Sequence, residues 1–148
     1  MIVPDVNLLV YAYNSDAPLH RVSKLWWESS LNEGASVGIP WAVICGFVRL
    51  MTHPSVLVTP LRPEKALAHV RSWLELPSVQ TLDPGPRHLE IFDTLVRSTG
   101  VAANLTTDTH LAALSIEYGC ELHSNDTDFS RFPGLRWRNP LEKRRAVR

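Results

Sequence analysis

The chain has 148 residues, 45% of them hydrophobic and 20% charged, which is enough for one compact core, since about 150 residues bury roughly 70% of their unfolded surface. Its two cysteines, Cys45 and Cys120, are far apart and belong to no CxxC or Cys/His cluster, which excludes a disulfide framework and a zinc signature and predicts buried thiols in a reducing cytosol. No apolar stretch approaches the roughly 18 residues of a membrane span and no basic run leads the N-terminus, so the expectation is a soluble cytoplasmic protein without membrane contact.

The zero net charge is unevenly spread. Six basic residues, Arg136, Arg138, Lys143, Arg144, Arg145 and Arg148, oppose Glu142 alone at the C-terminal end, leaving an acidic body. Residues 1–140 read as the folded domain and 141–148 as a basic tail, which fits either a phosphate-gripping arm or a solvated end.

In chain order, residues 1–5 read as a strand and Val6 to Tyr13 as a helix. "PLHRVSKLWWESSLNEG" carries Leu19, Val22, Leu25, Trp26 and Leu31 at helical spacing and stops at Gly34. "ASVGIP" is a second strand. "WAVICGFVRLMTH" is a nearly all-apolar helix ended by Pro54, and "PEKALAHVRSWLEL" is an amphipathic helix with Pro63 in its first turn. "SVQTLD" is a third strand, "PRHLEIFDTLVRSTG" and "DTHLAALSIEYG" are helices running into glycine, and "CELHSND" and "LRWRNP" are short strands with polar ends. Repeated strand and helix units predict an α/β three-layer sandwich, a mainly parallel central sheet flanked by helices.

Asp5 is out of character in "MIVPDVNLLVYAY", because a carboxylate in an apolar run costs several kcal/mol unless it is partnered. In open α/β sheets ligands bind beyond the carboxyl ends of the strands. Asp5 ends the first strand, Asp126 with Asp128 ends "CELHSND", and Asp108 begins a helix, so all are expected on one edge. Each also suits a plain structural role, Asp108 and Asp126 as helix caps and Asp5 with Asn7 in an Asx-type turn. A carboxylate cluster without Cys or clustered His favours Mg²⁺ or Mn²⁺, and such an ion can bind a phosphodiester oxygen and lower the pKa of water. The expected chemistry is phosphodiester hydrolysis. His20, His53, His110 and His123 are scattered and read as core or surface residues, and Trp26 and Trp27 read as core and interface rather than a base-stacking platform.

"PDVNLLVYAY", "TTDTHLAALSIEYG" and "LHSNDTDFSRFPGLRW" resemble, in order, the opening, third acidic and closing motifs of PIN-domain ribonucleases, most nearly the VapC-type toxins of bacterial toxin–antitoxin pairs. The resemblance covers Met1 to about Pro140. It implies a Mg²⁺-dependent endoribonuclease in which Asp5, Asp108 and Asp126 bind metal, Asn7 orients the first carboxylate and Ser124 holds water or nearby backbone. It also implies a homodimer, an RNA substrate and a small antitoxin. The sequence departs from the family pattern at Gly46, which aligns with a usual Glu. Asp128 or water is expected to fill that gap, with weaker metal affinity, and Arg49 is a candidate for holding a flanking phosphate. Two alternatives stand beside this reading: a PIN-like binding module that has lost catalysis with the missing Glu, and a phosphoacceptor or phosphatase domain with Asp5 as nucleophile. The second is opposed by Asn7, where an acid would be needed, and by the lack of a catalytic Lys in the later loops.

Overall fold

The computed structural model describes residues 1–100 and 103–142. Five short strands, β1 (Ile2–Pro4), β2 (Val37–Pro40), β3 (Val79–Leu82), β4 (Glu121–His123) and β5 (Arg136–Arg138), form one sheet in the order β3-β2-β1-β4-β5 with every neighbouring pair parallel. Six helices flank it: α1 (Val6–Tyr13), α2 (His20–Asn32), α3 (Trp41–Met51), α4 (Pro63–Leu74), α5 (His88–Thr99) and α6 (Thr106–Glu117). The three-layer α/β sandwich expected from the alternating pattern is the fold observed. The steps from β1 to β2 to β3 run one way along the sheet and the return to β4 runs the other. Right-handed crossovers therefore send α1 to α4 to one face and α5 with α6 to the opposite one.

Local sequence explains the elements. All four residues of β2 are buried, as a strand covered on both faces requires. Gly38 sits in that strand because a Cβ there would lie 2.6 Å from Leu82 Cδ1 and 2.8 Å from Met1 Sδ. Pro63 opens α4, and Gly100 closes α5 in the left-handed conformation at φ 64°. α6 is buried nearly all round, through Thr109 and the run Leu111 to Ser115, so its apolar residues form no stripe.

The helical layer is held by an aromatic cluster. Trp27 and Trp73 meet edge to face at 5.4 Å, Phe47 also meets Trp73 edge to face at 4.8 Å, and the Trp73 indole N–H donates to the Tyr13 hydroxyl at 2.7 Å. Trp27 is therefore a core residue, as expected, and Trp26 packs beside it while donating from its indole N–H to His123 Nδ1 at 3.1 Å. The expectation of two buried thiols is half right. Cys120 is buried, but Cys45 is exposed, because it lies one turn after exposed Trp41 on the outward side of α3 while Val43, Ile44 and Phe47 face the core.

The basic run is also divided by the fold, with Arg136 and Arg138 in edge strand β5. Lys143, Arg144, Arg145 and Arg148 lie outside the described residues. Among the described residues no helix is long and apolar enough to cross a membrane.

Candidate active site

β1 is the central strand, with β2 on one side and β4 on the other. The chain reverses its direction of travel along the sheet there, so the ends of β1 and β4 flank a crevice of the kind that binds ligands in parallel sheets. Asp5 follows β1 and Ser124 follows β4 directly. The two side chains meet across that crevice.

Asp5 is 4% exposed and both carboxylate oxygens are engaged: Oδ1 accepts from the Val6 backbone N–H at 2.7 Å and Oδ2 accepts from the Ser124 hydroxyl at 2.7 Å. Asp5 thereby caps α1, and its own backbone N–H donates to the His123 carbonyl at 2.9 Å. The fully buried Ser124 Oγ also accepts from the Asp126 backbone N–H at 3.0 Å, and Asp126 Oδ1 accepts from the Asp128 N–H at 2.8 Å. One run of hydrogen bonds therefore ties Asp5, Ser124, Asp126 and Asp128 together. The orienting role expected of Asn7 is performed by Val6 and Ser124, while Asn7 is exposed and makes no hydrogen bond to Asp5.

Asp108 joins them from α6. The helix begins at Thr106, two residues earlier than expected, so Asp108 stands in its first turn, and the N-cap position is Leu105 with no side-chain cap bond. This corrects the capping role suggested for Asp108. Its carboxyl is pushed up to about 6, by burial first and then by the charges of Asp5, Asp126 and Asp128. The Asp5 carboxyl is also raised by burial, with the bonds from Ser124 and Val6 pulling the other way and the charge of Asp126 adding to the rise. Asp5 thus shares one negative potential with two acids more than a hundred residues further along the chain.

Asp128 contributes charge but is paired to Arg131 at 3.3 Å. Gly46 packs α3 against the start of α1, where a Cβ would lie 3.2 Å from Val6 Cγ2. Arg49, one turn further along α3, is exposed and makes no ion pair with any acid of the group.

The donor set is hard oxygen from carboxylates, which suits Mg²⁺ or Mn²⁺ rather than zinc. Among the described residues no three His, Cys, Asp or Glu side chains are set closely enough to enclose an ion. Such a geometry fits a cation that keeps most of its waters and touches one or two carboxylates, as Mg²⁺ commonly does. Removing the Ser124 hydroxyl tests the hydrogen-bonded frame. Ser124→Ala leaves a buried Asp5 oxygen and the Asp126 N–H without their partner and should destabilise the fold by about 1–3 kcal/mol in denaturant titration.

Two features were not read from sequence. Asn7, Tyr11, Asn125, Asp126 and Thr127 line an open polar groove of about 270 Å³ beside the acids. The spacing of Asn7 and Tyr11, one helical turn, was the available signal. The second feature is a pair of rings, His88 and His110, whose nitrogens approach to 2.9 Å between α5 and α6, with Glu117 accepting from the Gly85 and Arg87 N–H groups nearby. His123 is likewise a buried structural residue, bonded to Trp26 and to Glu121 at 2.7 Å. A further cavity of about 370 Å³, around Tyr13 and Trp27 between α1, α2 and α4, contains none of the acids.

Comparison with known proteins follows this geometry. The PIN domain family matches the chain over residues 2–135. Ribonuclease VapC33 of Mycobacterium tuberculosis is 46% identical over 143 residues, covering 97% of this chain and 100% of that protein. Ribonuclease VapC37 of the same species is 38% identical over 140 residues, covering 95% and 97%. Among solved structures, VapBC2 of Rickettsia felis bound to a promoter DNA fragment superposes with a TM-score of 0.69 at 17% identity, covering 94% of this chain and 98% of that one. VapC20 of M. tuberculosis, a sarcin-ricin loop cleaving toxin, superposes at 0.67 and 19% identity, covering 92% and 99%.

Proposed function

The chain belongs to the PIN-domain family, and from that premise we propose that it is a metal-dependent endoribonuclease acting as the toxin of a toxin–antitoxin pair. The observation that carries the proposal is the convergence of the acids: the Ser124 hydroxyl ties Asp5 and the Asp126 backbone into one hydrogen-bonded frame, and Asp108 stands near enough for the charges of both to raise its carboxyl.

Asp5, Asp108 and Asp126 would together supply the negative charge that holds Mg²⁺, or Mn²⁺ in its place, with one or two of them as direct ligands. When bound, that ion supplies positive charge against the phosphodiester oxygens and lowers the pKa of water. The residues of the chain do the rest. Ser124 and the Val6 N–H fix the Asp5 carboxylate, which leaves it no rotamer in which to turn away. Ser124 holds the Asp126 backbone against the same frame, so both acids answer to one hydroxyl. Asp108 is ionised above about 6, so its own charge reaches the site only there.

The partner assignments rest on the relatives. A toxin–antitoxin complex from Klebsiella pneumoniae shares the fold with a TM-score of 0.62 at 16% identity, and a small cognate antitoxin is proposed for this chain. A cationic antitoxin side chain among the acids would neutralise them while closing the groove to RNA. A homodimer in the cytoplasm completes the proposal.

One observation favours a second reading, a PIN-like binding module without catalysis: position 46 carries no carboxylate. Its position against Val6, beside Asp5, suggests a direct check. Gly46→Glu combined with Val6→Ala, which clears the tight contact, should lower the Mg²⁺ concentration for half-maximal cleavage about tenfold, as added ligand charge does at other hard-cation sites.

The deciding experiment incubates antitoxin-free protein with a mixed RNA pool in chelator and then with Mg²⁺ or Mn²⁺. Cleavage only after metal addition supports the ribonuclease. RNA binding without cleavage in either ion supports the binding module.

A further inference from the structure

Behind the polar groove lies a hydrogen-bond relay whose direction is set from its far end. The Leu141 backbone N–H, which can only donate, reaches the Asn139 side chain at 3.1 Å, so that end of the amide is its oxygen. The other end is therefore nitrogen. It donates to Asn125 Oδ1 at 3.0 Å and points to the Glu142 carboxylate at 3.4 Å, an acceptor that agrees with the assignment. Asn125 must then turn its own amide nitrogen away from Asn139. That nitrogen has no protein hydrogen bond among the described residues, and Asn125 lines the groove next to Asp126.

The pairing of strands explains why the relay is rigid. β4 and β5 are in register with His123 opposite Arg138, and the Ser124 N–H donates to the Arg138 carbonyl at 3.1 Å. Asn125 and Asn139 follow these paired residues closely, and the Trp137 indole N–H clamps the Ser124 carbonyl at 3.1 Å. The orientation of the Asn125 amide is thus built into the same two strands that position Ser124.

We propose that Asn125 is a base-reading residue: its amide N–H pair donates to an acceptor on the edge of an RNA base next to the cleaved phosphate, with the Tyr11 ring across the groove as a stacking surface. This rests on the ribonuclease reading and adds the determinant of sequence preference. The groove is lined by neutral amides, a hydroxyl and a phenol besides Asp126. Those groups bring no cation to hold a phosphate, whereas splayed single-stranded bases are recognised by aromatic stacking and by hydrogen bonds to their edges. An oriented amide distinguishes acceptor-bearing from donor-bearing edges.

The relay supplies a test that a passive groove residue would not pass. In Asn139→Asp one carboxylate oxygen still accepts from Leu141, and the other now presents an acceptor to Asn125, with exposed Glu142 free to swing to solvent. The Asn125 amide must turn over and offer its oxygen to the groove. Wild type, Asn125→Ala and Asn139→Asp are each given an RNA pool randomised around a cleaved site, with Mg²⁺, and the products are sequenced. Asn125→Ala should lower kcat/KM on the preferred sequence and flatten the preference at one position by about tenfold. Asn139→Asp should move that preference towards a base with a donor at the same edge. An unchanged preference in both variants, or a uniform loss across all sequences as a phosphate contact would give, overturns the proposal. The same pool is also bound to Asp108→Asn protein with and without each change. Base preference in binding without any cleavage by wild type would mark failure of the ribonuclease reading alone. Binding with no preference to lose would overturn the role of Asn125.

Discussion

Asp108→Asn is expected to raise the melting temperature at neutral pH while removing RNA cleavage. The sign follows from the direction of the shift. Asp108 stands at about 6 in the folded chain against 3.8 as the ordinary value, so ionising it is harder in the fold than in the unfolded chain. Its ionisation therefore costs nothing below about pH 4, and the cost grows between about pH 4 and 6 and is constant above. The amide cannot ionise, so the gain in stability should be absent near pH 4 and complete above pH 7. A first-turn acid is favoured by the helix dipole, typically by 0.3–1 kcal/mol, and that is lost in the variant. The raised value shows that burial and three neighbouring carboxylates outweigh the dipole. Losing one charge from the site should cost several kcal/mol of transition-state stabilisation, roughly two to three orders of magnitude in rate. Melting curves at pH 4 and pH 7.5, beside cleavage assays, check both halves. A variant less stable than wild type at pH 7.5 that still cleaves would mean that Asp108 is structural.

Asp5 allows the same separation by two substitutions at one position. Asp5→Asn keeps an oxygen to cap α1 at the Val6 N–H and removes a charge that burial has already made costly, while its amide nitrogen donates to Ser124 Oγ, whose hydroxyl hydrogen must turn elsewhere, an offset smaller than the relief of the buried charge. It should be as stable as wild type or more so at neutral pH. Asp5→Ala strips the cap and leaves both the Val6 N–H and the buried Ser124 hydroxyl without an acceptor. The cap alone is worth about 1 kcal/mol and each orphaned group about 1–3 kcal/mol, so a marked loss of melting temperature is expected. Both variants should be inactive. Equal melting temperatures for the two would show that Asp5 does not carry the cap and the frame described above.

These two acids also show how much was legible beforehand. Asp5 stood out because a carboxylate in an apolar run demands a partner, and the strand-to-helix junction that places it was plain from "IVPDVNLLV". The alternation of elements gave the α/β sandwich, since strands of three or four residues between amphipathic helices leave few other ways to cover a sheet. Asp108 was harder. "TTDTH" offers four residues that can start a helix, and the choice of Thr106 depends on burial of Thr109 and Leu111 against the rest of the fold, a tertiary effect. The exposure of Cys45 was missed because α3 reads as nearly all apolar; exposed Arg49, one turn further on the same side, was the signal available. The groove was illegible because it joins α1 to the loop after β4, and the Asn125 amide takes its direction from a backbone N–H at Leu141. No local pattern encodes that.

The central claim is that Asp5, Asp108 and Asp126 form one cation-binding unit, and uptake of Mn²⁺ across pH, followed through its electron-spin resonance signal, tests it most directly. The account predicts uptake by the antitoxin-free protein that strengthens as pH rises through about 6, where Asp108 ionises, and that is lost or severely weakened in Asp108→Asn, Asp5→Asn and Asp126→Asn alike. Uptake that is absent, or that is the same in wild type and all three variants, would contradict it.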